Sequence, residues 1–340
     1  MEGPEGETVT ASPTDDGAQP EHYYHRLVGP EPTPEFHDEV ERYWGRRWGA
    51  ADEVSPLRTV LVRRPSRGLA AITADAWDPR AGALVDPGRR WYWRSDTAPD
   101  LDLVDEQHAG LLDALRAEGV EVIEAPDLPD SYTKAVFTRD PLVTVPGGAV
   151  ITRLAPRMRR GEEASVTATV AGLGMPILGT VTGHGLAEGG TFVKLRRDLA
   201  VYGLSIRCNR EGARQLAGFL EPLGIDLVTL PLPGYTIHTD GQFHMIADDL
   251  ALANTHRLPY EFLDRLEAMG ITVVSPHPDE QYACNSLTVR PRRLLFPAHC
   301  VRTADRLAAE GVEIVPVPYD EVLKNGGGIH CSTMELVRDW

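Results

Sequence analysis

No apolar run in this 340-residue sequence approaches the ~18 residues that a membrane-spanning helix needs, and its first residues do not join a basic segment to an apolar one as an export signal would. Neither a membrane span nor a leader is expected, and the chain reads as cytoplasmic. Basic residues are in deficit, with 34 Lys and Arg against 50 Asp and Glu, for a net charge of −16. Without a block of consecutive basic residues, this balance argues against a nucleic-acid partner and welcomes a small cation. Cysteine is scarce too. Cys208, Cys284, Cys300 and Cys331 lie far apart with no Cys-x-x-Cys pair, so neither a disulfide framework nor a cysteine-rich zinc site follows. Nor is there a Gly-x-Gly-x-x-Gly turn after a first strand or a Gly-x-x-x-x-Gly-Lys loop, and nucleotide binding loses its support.

What is present begins with an arm. Residues 1–35 are rich in Pro, Gly, Glu and Thr and poor in aliphatics, so burial cannot offset their ordering entropy and disorder is expected. Residues 36–340 are expected to form one domain, opening with a short aromatic-bearing helix over Phe36 to Gly49. Within it one pattern occurs five times: a helix, a glycine, then a short apolar strand, as in LRAEGVEVIEAP and LEAMGITVVSP. The glycines are Gly119, Gly174, Gly224, Gly270 and Gly311, 41 to 55 residues apart. Glycine just past a helix marks a left-handed cap, and the β-branched run after it marks a buried strand.

Four of these strands are followed by a hairpin-like pair, such as LVTVPGGAVITR or FHMIADDLALANT. The fifth has only STMELVRD at the C-terminus, and its missing partner is expected in LRTVLVRRP, Leu57 to Pro65. The fold class is therefore α/β, five units closed into a ring by pairing of N- and C-terminal strands. The rival is an open doubly wound sheet.

Residues at one phase of the repeat would converge on the axis of such a ring. Between the buried strand and the hairpin these are Asp140, Glu188, His238 and Asp240, Asn285, and Cys331 in NGGGIHCST. Three carboxylates around a neutral ligand repel one another, whereas around a planar cation they are satisfied acceptors. A guanidinium fits. A thiol beside its carbon suggests covalent catalysis, with His238 as acid and base. The spacing offers no metal site of a known pattern, and no metal or cofactor is expected. The basic cluster Arg153, Arg157, Arg159 and Arg160 reads as a solvated flap or salt-bridge face.

FTRDP, EGG before a strand, H-x-D and GGGxHCxT together resemble the guanidine-modifying superfamily of deiminases, dimethylarginine dimethylaminohydrolases and amidinotransferases, from about Leu57 to Trp340. The resemblance implies the five-bladed α/β propeller, or pentein, fold. It implies Cys331 as nucleophile, His238 as acid and base, Asp140, Glu188 and Asp240 as guanidinium holders or orienters, and Phe137 packed on the guanidinium by a cation-π contact. Arg139, Asn285 and Thr191 are expected along the substrate pocket. Most relatives have Asp where Thr191 stands, which leaves the substrate's tail open. The implied reaction is hydrolysis of the guanidino group of arginine or an arginine-like compound through an S-alkylthiouronium on cysteine. The alternatives are transfer of the amidino group to an amine and a non-catalytic binding module. Lids are expected at Leu57–Gly88 and Arg153–Glu163. A homo-oligomer is compatible with the sequence.

Overall fold

The five recurring glycines all take the left-handed conformation, with φ between +67° and +88°. A residue with a Cβ is strained there, so glycine is what lets each helix stop and the chain turn back. The helices they follow are Leu101–Ala117, Glu162–Gly172, Arg210–Leu220 with its 3-10 turn Glu221–Leu223, Tyr260–Ala268 and Val301–Ala309. Two helix starts are finished by side chains. Asp100 accepts from the Leu103 N–H at 3.1 Å and Asn209 from the Gly212 N–H at 2.8 Å, satisfying donors that have no partner within the helix. The computed structural model describes residues 32–86, 88 and 91–340. All but the last four residues of the expected N-terminal arm therefore lie outside the described residues. The expected short helix is Phe36–Trp44.

The strand after each glycine runs parallel to the middle strand of a three-stranded sheet, and the middle strand pairs antiparallel with the sheet's first strand. Four sheets are local in sequence, with first strands Leu142–Val145, Phe192–Arg196, Phe243–Ala247 and Leu287–Arg290. The other joins the two ends of the chain. Its middle strand is Leu57–Val62, antiparallel to Met334–Arg338 with Leu61 opposite Met334, and parallel to Glu121–Glu124. First and middle strands such as Leu142–Val145 and Gly148–Ile151 are buried along their whole length. That is why they read as continuous apolar runs without polar alternation.

One expectation fails. Leu57–Gly88 is not a lid, because it begins with that middle strand and continues into a sixth small sheet of Trp77–Asp78, Ala83–Asp86 and Trp91–Trp93. Leu84 and Trp93 of this sheet are fully buried in one cluster with Leu111 and Ile329. Burying one leucine contributes ~1.5–3 kcal/mol, so a segment anchored this way does not swing freely. Among the described residues no helix is long and apolar enough to cross a membrane.

Candidate active site

Two to five residues ahead of each sheet's first strand stands one of the residues singled out from the sequence: Asp140, Glu188, His238 with Asp240, Asn285 and Cys331. The recurring register thus delivers five loops to one place. Close packing makes the glycines before Cys331 necessary. A Cβ on Gly327 would lie 2.7 Å from the Phe137 ring and 2.9 Å from Cys331 Cβ, and one on Gly328 would lie 2.8 Å from Asn285 Oδ1.

Asn285 holds the cysteine from three directions. Its Nδ2 donates to Cys331 Sγ at 3.0 Å, and its Oδ1 accepts from the Gly328 N–H at 3.0 Å and the Cys331 N–H at 3.2 Å. Asp240 Oδ2 accepts from the thiol at 3.3 Å and lies 3.0 Å from His330 Nδ1. Burial first, then the negative charges of Asp240 and Asp140, push the Cys331 thiol well above its ordinary pKa, against the opposing hydrogen bond from the Asn285 amide. Without a cation nearby the sulfur is a thiol.

His238 stands between two acids. Its Nε2 is 2.6 Å from Glu188 Oε2 and its Nδ1 is 3.6 Å from Asp140 Oδ1. Burial disfavours the imidazolium, but Asp140 and Glu188 together outweigh it and hold the pKa above the ordinary value. Asp140 itself falls to about 2: burial pulls it up, while His238 and Arg159 pull it further down. Glu188 is likewise lowered, burial being outweighed by Arg207 and His238.

The arginines behind these acids, Arg159 buried and Arg207 half-buried, were not expected. Arg159, assigned from sequence to a solvated flap or salt-bridge face, is buried and pairs with Asp140 at 2.5 Å and Glu162 at 2.7 Å. Arg207 pairs with Glu188 at 2.6 Å, and nothing in the surrounding SIRCNR marks it in the sequence. Asp140, Glu188 and His238 offer donor atoms within 4.8 Å of one another, as a metal site would. The cations that the two carboxylates hold are these two guanidinium groups.

A cavity of about 970 Å³ opens onto Cys331, His238, Asp240 and Asn285. Asp140 and Glu188 do not line it; their oxygens face Arg159, Arg207, His238 and backbone N–H groups of Gly190 and Ala155. Both flank His238 instead. Phe137 is buried beside Cys331 and gives its carbonyl to Arg159 at 3.0 Å. Two expected pocket residues are corrected. Arg139 turns away, donating to the Thr333 carbonyl at 2.9 Å and pairing with Glu335 at 2.5 Å. Glu335 also receives Lys194 at 2.9 Å, so Arg139 belongs to a buried ion network whose disruption would be costly. Thr191 is fully buried, its hydroxyl donating to the Gly203 carbonyl at 3.0 Å beside Thr239.

The family model described as N,N dimethylarginine dimethylhydrolase, eukaryotic, matches residues 95–338. The chain belongs to the dimethylarginine dimethylaminohydrolase family. Within the guanidine-modifying pentein superfamily, a relative from Streptomyces coelicolor, N(G),N(G)-dimethylarginine dimethylaminohydrolase, is 30% identical over 284 residues, 83% of this chain and 98% of its own. Among solved structures, the dimethylarginine dimethylaminohydrolase of Pseudomonas aeruginosa, a cysteine-to-serine variant complexed with citrulline, aligns with a TM-score of 0.67 at 24% identity, covering 82% of this chain and 99% of that one. The inosamine-phosphate amidinotransferase of Streptomyces griseus aligns with a TM-score of 0.68 at 18% identity, covering 87% and 98%. The fold is shared between hydrolases and transferases.

Proposed function

We propose that the protein hydrolyses the guanidino group of arginine or an arginine-like compound, giving a ureido product and ammonia or an alkylamine. The observation that carries this reading is the meeting, on one cavity wall, of the Cys331 thiol, the Asp240 carboxylate and a histidine flanked by two acids. Residues 36–340 are read as one catalytic domain, its five sheets set as blades around the axis on which these groups converge.

In this reading Asp240 receives the guanidinium on the cavity wall, while Asp140 and Glu188 orient His238 and keep it charged. A bound cation offsets the negative charges that hold the thiol protonated, so substrate arrival releases its proton to solvent. The thiolate then attacks the guanidinium carbon. As the C–N bond breaks, His238 gives its proton to the departing amine, leaving an S-alkylthiouronium. His238, now neutral, takes a proton from water as the oxygen adds to that carbon. The C–S bond breaks, the remaining hydroxyl proton passes to solvent, and thiolate and neutral ureido product separate.

The cavity's size supports a second reading, in which an amine takes the amidino group in place of water. Oxygen-18 water separates the two. An arginine-like guanidine incubated without added amine should give a ureido product carrying one heavy oxygen, detected by mass spectrometry. If amidino transfer to an added amine is the only reaction, the hydrolase reading is wrong.

Asp240→Asn should move two observables in opposite directions. Losing a charged acceptor weakens guanidine binding by ~1.5–3 kcal/mol, which calorimetry would read. Losing its negative charge lets the thiol ionise at lower pH, so alkylation of Cys331 by iodoacetamide should quicken at neutral pH. Unchanged affinity would remove Asp240 from the substrate's path.

A further inference from the structure

One buried cation has no part in the proposed chemistry. Lys134, three residues before Phe137, is buried, and its ammonium is enclosed by oxygens. It donates to the Tyr92 carbonyl at 2.7 Å, the Asn325 carbonyl at 2.6 Å and Asn325 Oδ1 at 2.7 Å, with the Tyr92 ring centroid 3.8 Å away. Three acceptors engage all three N–H donors of the charged form. None of the three is a carboxylate. Burial first, then the charges of Arg159, Arg94 and Arg207, push the lysine pKa well below its ordinary value. A methionine would fill similar space without the cost of burying a charge. What the ammonium does, and a methyl group would not, is join segments far apart in the chain.

Asn325 stands just ahead of Gly326, Gly327 and Gly328, the run that leads to Cys331. Those glycines have no side chains with which to fix the run, and Gly326, at φ +109°, leaves no room for one: a Cβ there would collide with the Tyr92 hydroxyl. From Cys331 onward the chain is tied by the Arg139 N–H to the Cys331 carbonyl at 3.1 Å and by the Thr138 hydroxyl to the Ser332 carbonyl at 3.2 Å. Ahead of the glycines the tie is Asn325. Lys134 takes both of its oxygens, and the Thr133 carbonyl receives its Nδ2 at 2.8 Å. Both ties run to residues 133–140, the segment that also carries Phe137 beside the sulfur and Asp140 beside His238. Lys134 itself does not line the cavity.

We propose that Lys134 is a positioning residue for the nucleophile: its ammonium, held between Tyr92 and Asn325, fixes where the glycine run places the Cys331 sulfur against Asn285 and Asp240. This rests on Cys331 being the nucleophile of the guanidine-hydrolase reading. The same tie sets the sulfur relative to the histidine that must protonate the leaving amine, so its loss acts on the chemical step more than on binding.

Lys134→Met and Asn325→Ala break the tie from its two sides. Each variant of the full chain, and the double variant, is assayed for ureido product from dimethylarginine and from arginine. Iodoacetamide labelling of all four cysteines is followed by peptide mass spectrometry. Each single variant should lose about 10–10²-fold in kcat, the effect of a small misplacement, with KM within about threefold of wild type. A sulfur released from Asp240 is more exposed and ionises more readily, so Cys331 should label at least about fivefold faster. Cys208, Cys284 and Cys300, buried elsewhere, should label as in wild type. The double variant should be no worse than the more severe single one, because both act through one link. Unchanged labelling of Cys331 in both single variants overturns the proposal. So does faster labelling of all four cysteines in both, the mark of general loosening, and so do kcat losses that multiply in the double variant. If Lys134→Met does not fold, Asn325→Ala, which leaves the ammonium two carbonyls, decides by the same labelling. If Cys331 labels as expected but wild-type protein forms no ureido product, the hydrolase reading falls while the placement of the sulfur by Lys134 stands.

Discussion

Replacing Cys331 by serine should cut turnover by at least about 10⁴-fold while leaving the fold intact. In the proposed mechanism the reacting group is a thiolate, and a hydroxyl in its place is not ionised at neutral pH; losing the nucleophile of a catalytic unit costs nearly the whole rate. The fold should survive because serine keeps what the sulfur does structurally. Asn285 Nδ2 still has an acceptor and Asp240 Oδ2 still has a donor, contacts now at 3.0 and 3.3 Å. Steady-state assay of ureido product, beside circular dichroism and thermal melting, checks both halves. A serine variant that melts like wild type yet retains more than about one per cent of activity means that sulfur is not the nucleophile.

His238→Asn should lower kcat by about 10²–10⁴-fold, the usual span for a general acid and base, with a much smaller effect on guanidine affinity. Its pH signature distinguishes it from a structural lesion. Asp140 and Glu188 raise the imidazole pKa in spite of burial, so the protonated form, the one able to give a proton to the leaving amine, persists above the ordinary histidine range. Wild-type kcat should therefore hold as pH rises past that range and fall only when the raised pKa is crossed. The variant should lack this limb. With the base gone, attack by water slows as well, and intact-protein mass spectrometry should find a thiouronium adduct on Cys331 where attack by sulfur still occurs. An unchanged alkaline limb in the variant would assign the proton transfer to another group.

The asparagine variant is a fair test because each flanking acid keeps its arginine. Arg159 remains on Asp140 and Arg207 on Glu188, so removing the imidazole does not leave a buried carboxylate without a cation. Those arginines also show where reading the sequence ran out. Arg159 sits in a basic run that looks like surface, and its burial depends on Glu162, one turn further on, and on Asp140, 19 residues back. Arg207 lies between a strand and a helix in a segment with no pattern to read.

The recurrence itself was visible in the chain, because its causes are local. A glycine with positive φ after a helix, a buried β-branched strand and a short hairpin turn each leave a mark within a dozen residues, and five repetitions of the marks expose both the missing strand and its replacement near Leu57. The same phase picked out Asp140, Glu188, His238, Asp240, Asn285 and Cys331, since residues just ahead of equivalent strands arrive at equivalent places. What periodicity does not carry is the direction of a side chain on an irregular loop. Arg139 and Asp140 are neighbours, yet one turns to Glu335 and the other to Arg159. Thr191 closes on Gly203, although it is only three residues from Glu188. Which acids line the cavity and which stand behind the histidine, and whether a segment forms a lid or packs into the core, were decided by tertiary packing. A buried charge goes where a counter-charge can meet it, and that partner is brought by the fold from elsewhere in the chain.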